Sequence, residues 1–164
     1  MKKTSYIARC AIIAAAYAVL TLAFPVLSYG AIQVRISEAL CILPFFMKEA
    51  IPGLTLGCLV ANLIGVAFGT TPWDIVIGTM ATLIAALITR KVKISWLVPL
   101  PTVAVNAVFV GAMITYIIMQ DFSPVVLVVN MSTVALGELV ACYVLGLPLM
   151  LMLSKHLEGK KYES

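Results

Sequence analysis

The stretch AIQVRISEALCILPFF, residues 31–46, decides how the chain is threaded through a membrane. Its residues are nearly all apolar, yet Arg35 and Glu38 lie within it. The segment from Ala31 to Met47 would form a helix of about 25 Å, somewhat shorter than the roughly 30 Å hydrocarbon core of a bilayer. Two interpretations follow: a short crossing, or a re-entrant segment that enters and leaves on the same side.

The overall composition excludes a water-soluble protein. Of the 164 residues, 63% are hydrophobic and 11% are charged, and the mean hydropathy is +1.12. Soluble domains average roughly 25% charged residues, so this chain has too little polar surface to cover a globule in water. We therefore expect an all-α integral membrane protein surrounded by the lipid bilayer. The net charge of +4 does not indicate nucleic-acid binding.

Six apolar segments approach or exceed the about 20 residues that a helix needs to cross a bilayer. They cover about 6–27, 31–47, 51–68, 73–89, 96–119 and 125–153. The loops between them are short, which predicts a single domain over residues 1–164. The expected architecture is a bundle of six transmembrane helices.

The distribution of Lys and Arg decides between the two interpretations of residues 31–47. With six crossings and both termini cytoplasmic, ten of the eleven basic residues lie inside and only Arg35 lies outside. A re-entrant second segment would leave three inside and eight outside. The positive-inside rule therefore favours six crossings, in a multi-pass protein of the cell membrane with cytoplasmic N- and C-termini. Asp74 then lies at the outer face.

Polar residues at membrane depth are the candidate functional groups: Glu38, Asn62, Asn106, Asn130 and Glu138. Ionisable residues there usually face the bundle interior or a cavity, whereas a lone Asn often serves only as a hydrogen bond between helices. Glu138 lies about 21 Å of helix beyond Pro124, and no cation is evident at that depth. Either Glu138 stays protonated as a structural donor or a ligand satisfies it, and we favour the ligand.

These polar groups are expected to converge on one pocket that is open to the outside. Asn130 lies two turns before Glu138 on the same helix, and Gln33, Arg35 and Glu38 lie at the predicted outer mouth. Because Arg35 and Glu38 are three residues apart, they share one helical face. They form either a mutual ion pair or direct ligand contacts, and the sequence leaves both open.

The first helix is rich in alanine, and two pairs have a spacing of four: Ala11 with Ala15, and Ala14 with Ala18. Small side chains at that spacing let another helix approach closely. That second helix belongs either to the same bundle or to another subunit, and the spacing gives both equal weight.

Motifs for energy coupling and catalysis are absent from the sequence. It contains no GxxxxGK[ST] phosphate loop, no HExxH and no GxSxG, and the four cysteines fit buried apolar positions. We expect no cofactor, no metal and no enzyme activity, with energy supplied by a partner. A membrane-embedded enzyme and a scaffold whose polar residues only join helices are the less favoured alternatives.

Four blocks of the sequence, AIQVRISEAL, LPFF, EAIPGLTLGCLVANL and DIVIGTMATLIAAL, carry a family resemblance. In this order they resemble the queuosine-precursor transporter family (QueT type), substrate-binding S components of energy-coupling factor (ECF) transporters. The resemblance implies a six-helix bundle that binds a micronutrient from the outer side. It also implies a transmembrane coupling subunit, which docks largely through small residues of the first helix, and two cytoplasmic ATPases. The matching small residues are Ala11, Ala14, Ala15 and Ala18.

The substrates that the resemblance implies are 7-deazaguanines. A guanine-like edge presents N–H donors that a carboxylate accepts in bidentate fashion, which suits Glu138 or Glu38. Asn106, Asn130 or Asn62 would serve the carbonyl oxygen. The ring face would stack on Phe68, Phe109 or Tyr116, and a cationic aminomethyl substituent would suit Asp74 or a second carboxylate. Another flat micronutrient or a tryptophan-like compound is the alternative ligand.

Overall fold

The computed structural model describes residues 3–24 and 34–162, with side chains as far as residue 155. This part of the chain is almost entirely helical, which confirms the predicted all-α class. Six helices follow one another within it: α1 (Lys3–Ala23), α2 (Ile36–Phe46), α3 (Ala50–Phe68), α4 (Trp73–Thr89), α5 (Ser95–Ile118) and α6 (124–162).

Four of these helices are long and apolar enough to cross a membrane, counting only the residues that the structure describes. They are α1, α3, α5 and the Pro124–Lys155 part of α6. The two shorter apolar helices are α2 and α4, and α4 has 17 residues. The apolar helices agree with the predicted membrane protein, while the six crossings and the cytoplasmic location of both termini stay predictions.

The helix α2 is shorter than its predicted extent of 31–47. Its first seven residues, Ile36–Ile42, wind as a 3-10 helix, and Leu43–Phe46 add one α-helical turn. Residues 31–33 lie outside the described part of the chain. The end of α2 is fixed to the end of α4, because Arg90 Nη1 donates hydrogen bonds of 3.1 Å to the carbonyl oxygens of Pro44 and Phe45.

Contacts between the helices define their relative directions. The helices α1 and α3 are parallel, because the Cys10 thiol lies 3.4 Å from the Glu49 carbonyl oxygen while Tyr17, two turns on, lies against Gly57. From there α4 runs back along α3, α5 along α4, and α6 along α5. The short α2 packs against α1, α4 and α6. Its side chains are therefore enclosed by the longer helices.

Both α5 and α6 contain a stretch of wider π-helical turns. These turns cover Ile114–Ile118 and Val140–Gly146. Such turns are rare and often occur at functional sites. The second stretch begins directly after the helical turn that carries Glu138.

Glycines set the closest helix contacts. An ideal Cβ on Gly57 would lie 2.7 Å from the Ala14 carbonyl oxygen and 2.8 Å from the Tyr17 Cβ. An ideal Cβ on Gly111 would lie 2.8 Å from the Met131 Cα. Because these distances are shorter than a carbon contact allows, α1 with α3, and α5 with α6, approach as closely as they do only with glycine there.

We expect Gly57→Ala to lower the free energy of unfolding by about 1–3 kcal/mol, since the added methyl group pushes α1 away from α3. Thermal unfolding of the purified protein in detergent measures this. Val60→Leu enlarges an exposed residue of the same helix and should leave the melting temperature unchanged. An unchanged melting temperature for Gly57→Ala would show that the two helices tolerate a wider spacing.

Candidate functional site

Most of the predicted site residues meet inside the bundle, where they form a buried polar cluster. It consists of Tyr17, Arg35, Glu38, Asn62, Asp74, Asn106 and Glu138, each at most 5% exposed. Each of the six helices contributes one side chain to the cluster, and Arg35 comes from the residue just before α2. It is therefore a product of the whole fold and not of one segment.

Glu38 is the central carboxylate and is fully buried. Its Oε1 accepts a hydrogen bond from the Tyr17 hydroxyl on α1, and its Oε2 accepts one from the Cys41 thiol at 2.8 Å. Both oxygens thus have a donor, and both donors are uncharged. The ion pair recorded for Arg35 is with Asp74 rather than with Glu38.

Glu138 has a similar environment on α6. Its Oε1 accepts a hydrogen bond of 2.8 Å from Asn106 Nδ2 on α5, and the Cys142 thiol lies 3.6 Å from its Oε2. The same thiol lies 3.6 Å from the backbone carbonyl oxygen of Glu38. Cys142 therefore connects the surroundings of the two carboxylates, although a thiol is a weak donor.

Arg35, Asp74 and Asn62 form the third part of the cluster, where α4 begins. Arg35 Nη2 lies 3.7 Å from Asp74 Oδ1, an ion pair longer than a charge-assisted hydrogen bond of about 2.7–2.9 Å. Asn62 Nδ2 donates to the backbone carbonyl oxygen of Asp74 at 2.8 Å. Gly78 lies beside all three, since an ideal Cβ there would be within 3.9 Å of each side chain.

The cluster carries more potential negative than positive charge. It contains three carboxylates, Glu38, Asp74 and Glu138, and one guanidinium, Arg35, for a formal charge of −2 when all are ionised. Moving a charge out of water costs several kcal/mol unless a partner compensates. Protons or a ligand that brings N–H donors would reduce this cost.

Two predicted ligand residues, Asn130 and Tyr116, lie outside the cluster. Asn130 Nδ2 donates to Thr115 Oγ1 at 2.9 Å, so its contact lies between α5 and α6. Tyr116 is 40% exposed and stacks on Phe122 with ring centres 5.7 Å apart. Gln33 lies outside the described residues. Their roles in binding stay predictions.

The two alanine pairs of α1 face in different directions. Ala11 and Ala15 are exposed, whereas Ala18 is buried and Ala14 is half-buried against Gly57 of α3. Both alternatives drawn from the spacing thus have a matching pair: one pair packs within the bundle, and the other is available to a second protein. Docking of a subunit on Ala11 and Ala15 stays a prediction.

Tyr17 of the cluster, and three residues that contact the cluster, were not selected from the sequence because they resemble ordinary core residues. The three contacting residues are Cys41, Cys142 and Gly78. A spacing signal existed for two of them. Cys41 follows Glu38 by three residues and Cys142 follows Glu138 by four, the separations that bring side chains together on a helix. Tyr17 and Gly78 have no such signal, since their contacts depend on how the helices pack.

Two apolar grooves lie on the surface, away from the cluster. One, of about 480 Å³, runs past Ile88 and Leu97, and the other, of about 350 Å³, is bordered by Phe109 and Tyr116. Neither is lined by a residue of the buried polar cluster. Their linings are almost wholly apolar, with Lys93 in the first groove and Tyr116 in the second as the polar side chains.

Comparison with known proteins gives one family. A model described as QueT transporter matches residues 7–155. A relative, the Queuosine precursor transporter QueT of Lactococcus lactis subsp. cremoris (strain MG1363), is 39% identical over 85 residues, which are 50% of this chain and 47% of that protein. The chain thus spans about half the length of this relative. No solved structure matches the chain. Because the family model extends from α1 into α6 and includes every helix between them, the chain belongs to the QueT transporter family.

Proposed function

We propose that the chain is the substrate-binding subunit, or S component, of an ATP-driven ECF importer. It binds a queuosine precursor or a related 7-deazaguanine outside the cell and delivers it inward. Family membership and the printed name of the Lactococcus relative support this substrate class. The observation that carries the proposal is the buried polar cluster, because ionisable side chains inside a membrane bundle mark ligand or ion pathways.

The chemistry of the cluster suits a flat, donor-rich ligand. Glu38 and Glu138 accept hydrogen bonds only from uncharged groups among the described residues, so ligand N–H donors can exchange with thiol or amide donors without breaking an ion pair. Asn106 donates its side-chain N–H to Glu138, so a ligand that binds Glu138 would also meet this amide. Ligand N–H groups would be stronger donors than the Cys41 and Cys142 thiols that they replace.

Energy for transport would come from a partner that docks on the exposed face of α1. Ala11 and Ala15 leave that face free of large side chains at the middle of the helix. Close approach of a second helix there needs no rearrangement of the bundle, because Ala14 and Ala18 already face inward. A coupling subunit with two ATPases is the proposed partner.

A thermal-shift screen of the purified protein tests the substrate class. We expect a 7-deazaguanine at 100 times its dissociation constant to stabilise the protein by about 2.7 kcal/mol. Guanine, tryptophan and riboflavin belong in the same screen. A response to tryptophan or riboflavin without one to any deazaguanine would contradict the proposed substrate.

Glu138→Gln should weaken deazaguanine binding at least about tenfold, a change of ~1.4 kcal/mol. The substitution removes one carboxylate and places an amide beside Asn106, so a buried acceptor for the ligand is lost. Titration calorimetry measures the affinity. Glu49→Gln is the matched control, because Glu49 is also buried but pairs with Arg9 at the opposite end of the bundle. Equal affinity in wild type and Glu138→Gln would remove Glu138 from the site.

Ala15→Leu should greatly reduce uptake by cells that contain the complete transporter, because the larger side chain holds a second helix away from α1. Ligand affinity of the isolated chain should not change, since Ala15 is exposed. Ala67→Leu, on an exposed position of α3, is the control for both measurements. Normal uptake by Ala15→Leu would show that the partner docks elsewhere.

A further inference from the structure

Some buried acceptors of the polar cluster have hydrogen-bond donors and others do not. Both oxygens of Glu38 and both oxygens of Glu138 have donors within reach. Two other buried acceptors, Asp74 Oδ1 and Asn62 Oδ1, have no hydrogen-bond partner among the residues that the structure describes. Asp74 is 2% exposed and Asn62 is 0% exposed, so bulk water does not serve these oxygens. A buried acceptor without a donor costs about 1–3 kcal/mol, which indicates that something else fills this role.

The two acceptors are held in fixed positions. Asn62 Nδ2 donates to the Asp74 backbone carbonyl oxygen at 2.8 Å and lies 3.3 Å from the Cys58 sulfur, which orients the Asn62 oxygen away from both. Asp74 is the second residue of α4, and its Oδ1 lies 3.7 Å from Arg35 Nη2. The structure therefore presents two acceptors and a cationic donor within one small region.

Gly78 packs closely against these groups. It lies one helical turn after Asp74 on the same face of α4, and an ideal Cβ there would be 3.0 Å from Asn62 Nδ2, 3.7 Å from Asp74 Oδ1 and 3.9 Å from Arg35 Nη1. A side chain at this position would crowd the Asn62 amide, because 3.0 Å is tighter than an ordinary van der Waals contact. Glycine here therefore leaves the three polar groups in place.

The pattern of acceptor, acceptor and donor selects among ligand groups. A lone ammonium group would be repelled by Arg35, and a lone anion by Asp74. A 2-amino-4-oxopyrimidine edge, as in guanine, presents an NH₂ donor, a ring N–H donor and a carbonyl acceptor in one plane. Asp74 and Asn62 match its two donors, and Arg35 matches its carbonyl oxygen.

From this match we infer that Asp74, Asn62 and Arg35 read the guanine-type edge of the ligand, with Gly78 as the adjoining surface. This inference rests on the proposed function and specifies which part of the cluster determines ring specificity. It differs from the expectation that Glu138 or Glu38 reads this edge. Those two carboxylates then contact another part of the ligand.

The test compares two neutral ligands that differ only at this edge, 7-deazaguanine and 7-deazahypoxanthine, which lacks the 2-amino group. Titration calorimetry on the wild-type protein should show at least about tenfold tighter binding of 7-deazaguanine, because the second ligand leaves a buried acceptor without a donor. Equal affinities would overturn the inference while leaving the proposed function intact. Binding of neither ligand would overturn both.

Variants then assign the discrimination to residues. Asp74→Asn should weaken 7-deazaguanine more than 7-deazahypoxanthine and so collapse the ratio of their affinities. Glu138→Gln should weaken both and keep the ratio, and Asp121→Asn, a carboxylate outside the cluster, should change neither. A ratio that survives in Asp74→Asn, or that is lost in Glu138→Gln, would overturn the inference. Circular dichroism checks that each variant is folded. If a variant does not fold, the ratio of the two ligand affinities measured on the wild-type protein decides whether the inference holds.

Discussion

Burial of Glu38 on the short helix α2 is the constraint on which the rest of the structure depends. A carboxylate at the centre of a helical bundle, with lipid outside that bundle, needs donors from every side, and water is not there to supply them. Tyr17 from α1 and Cys41 of α2 itself donate to the carboxylate, while the Cys142 thiol of α6 lies 3.6 Å from the backbone carbonyl oxygen of the same residue. The positions of α1 and α6 around α2 are tied to this one residue.

Close helix contacts make that arrangement possible. Tyr17 reaches Glu38 from a part of α1 that packs closely on α3, where Gly57 lets the two backbones approach. Similarly, Gly111 brings α5 against α6, which places Asn106 within 2.8 Å of Glu138. Small residues at helix contacts and polar residues in the interior therefore depend on each other.

The sequence was sufficient for features that follow from local composition. Apolar runs predicted α3, α4 and α5 to within one residue, whereas α2 starts five residues later and α6 ends nine residues later than predicted. The cost of burying polar groups identified Glu38, Asn62, Asn106 and Glu138 as interior. It was not sufficient for pairings that depend on packing. Arg35 shares a helical spacing with Glu38, yet its ion pair in the structure is with Asp74, thirty-nine positions away. No periodicity encodes such a contact, because it arises from the rotation of α4 against α2.

The 3-10 winding of α2 has a mechanical consequence. A 3-10 helix rises about 2.0 Å per residue and an α-helix about 1.5 Å, so Ile36–Ile42 is about 3.5 Å longer than the same seven residues would be as an α-helix. This extra length lets a short segment reach from the Asp74 end of the bundle to Arg90, which holds the carbonyl oxygens of Pro44 and Phe45. Side-chain contacts with α4 and with Arg90 hold the segment at both ends. Rewinding it as an α-helix would shorten it by the same 3.5 Å or so and draw Arg35 and Asp74 apart unless one end were released.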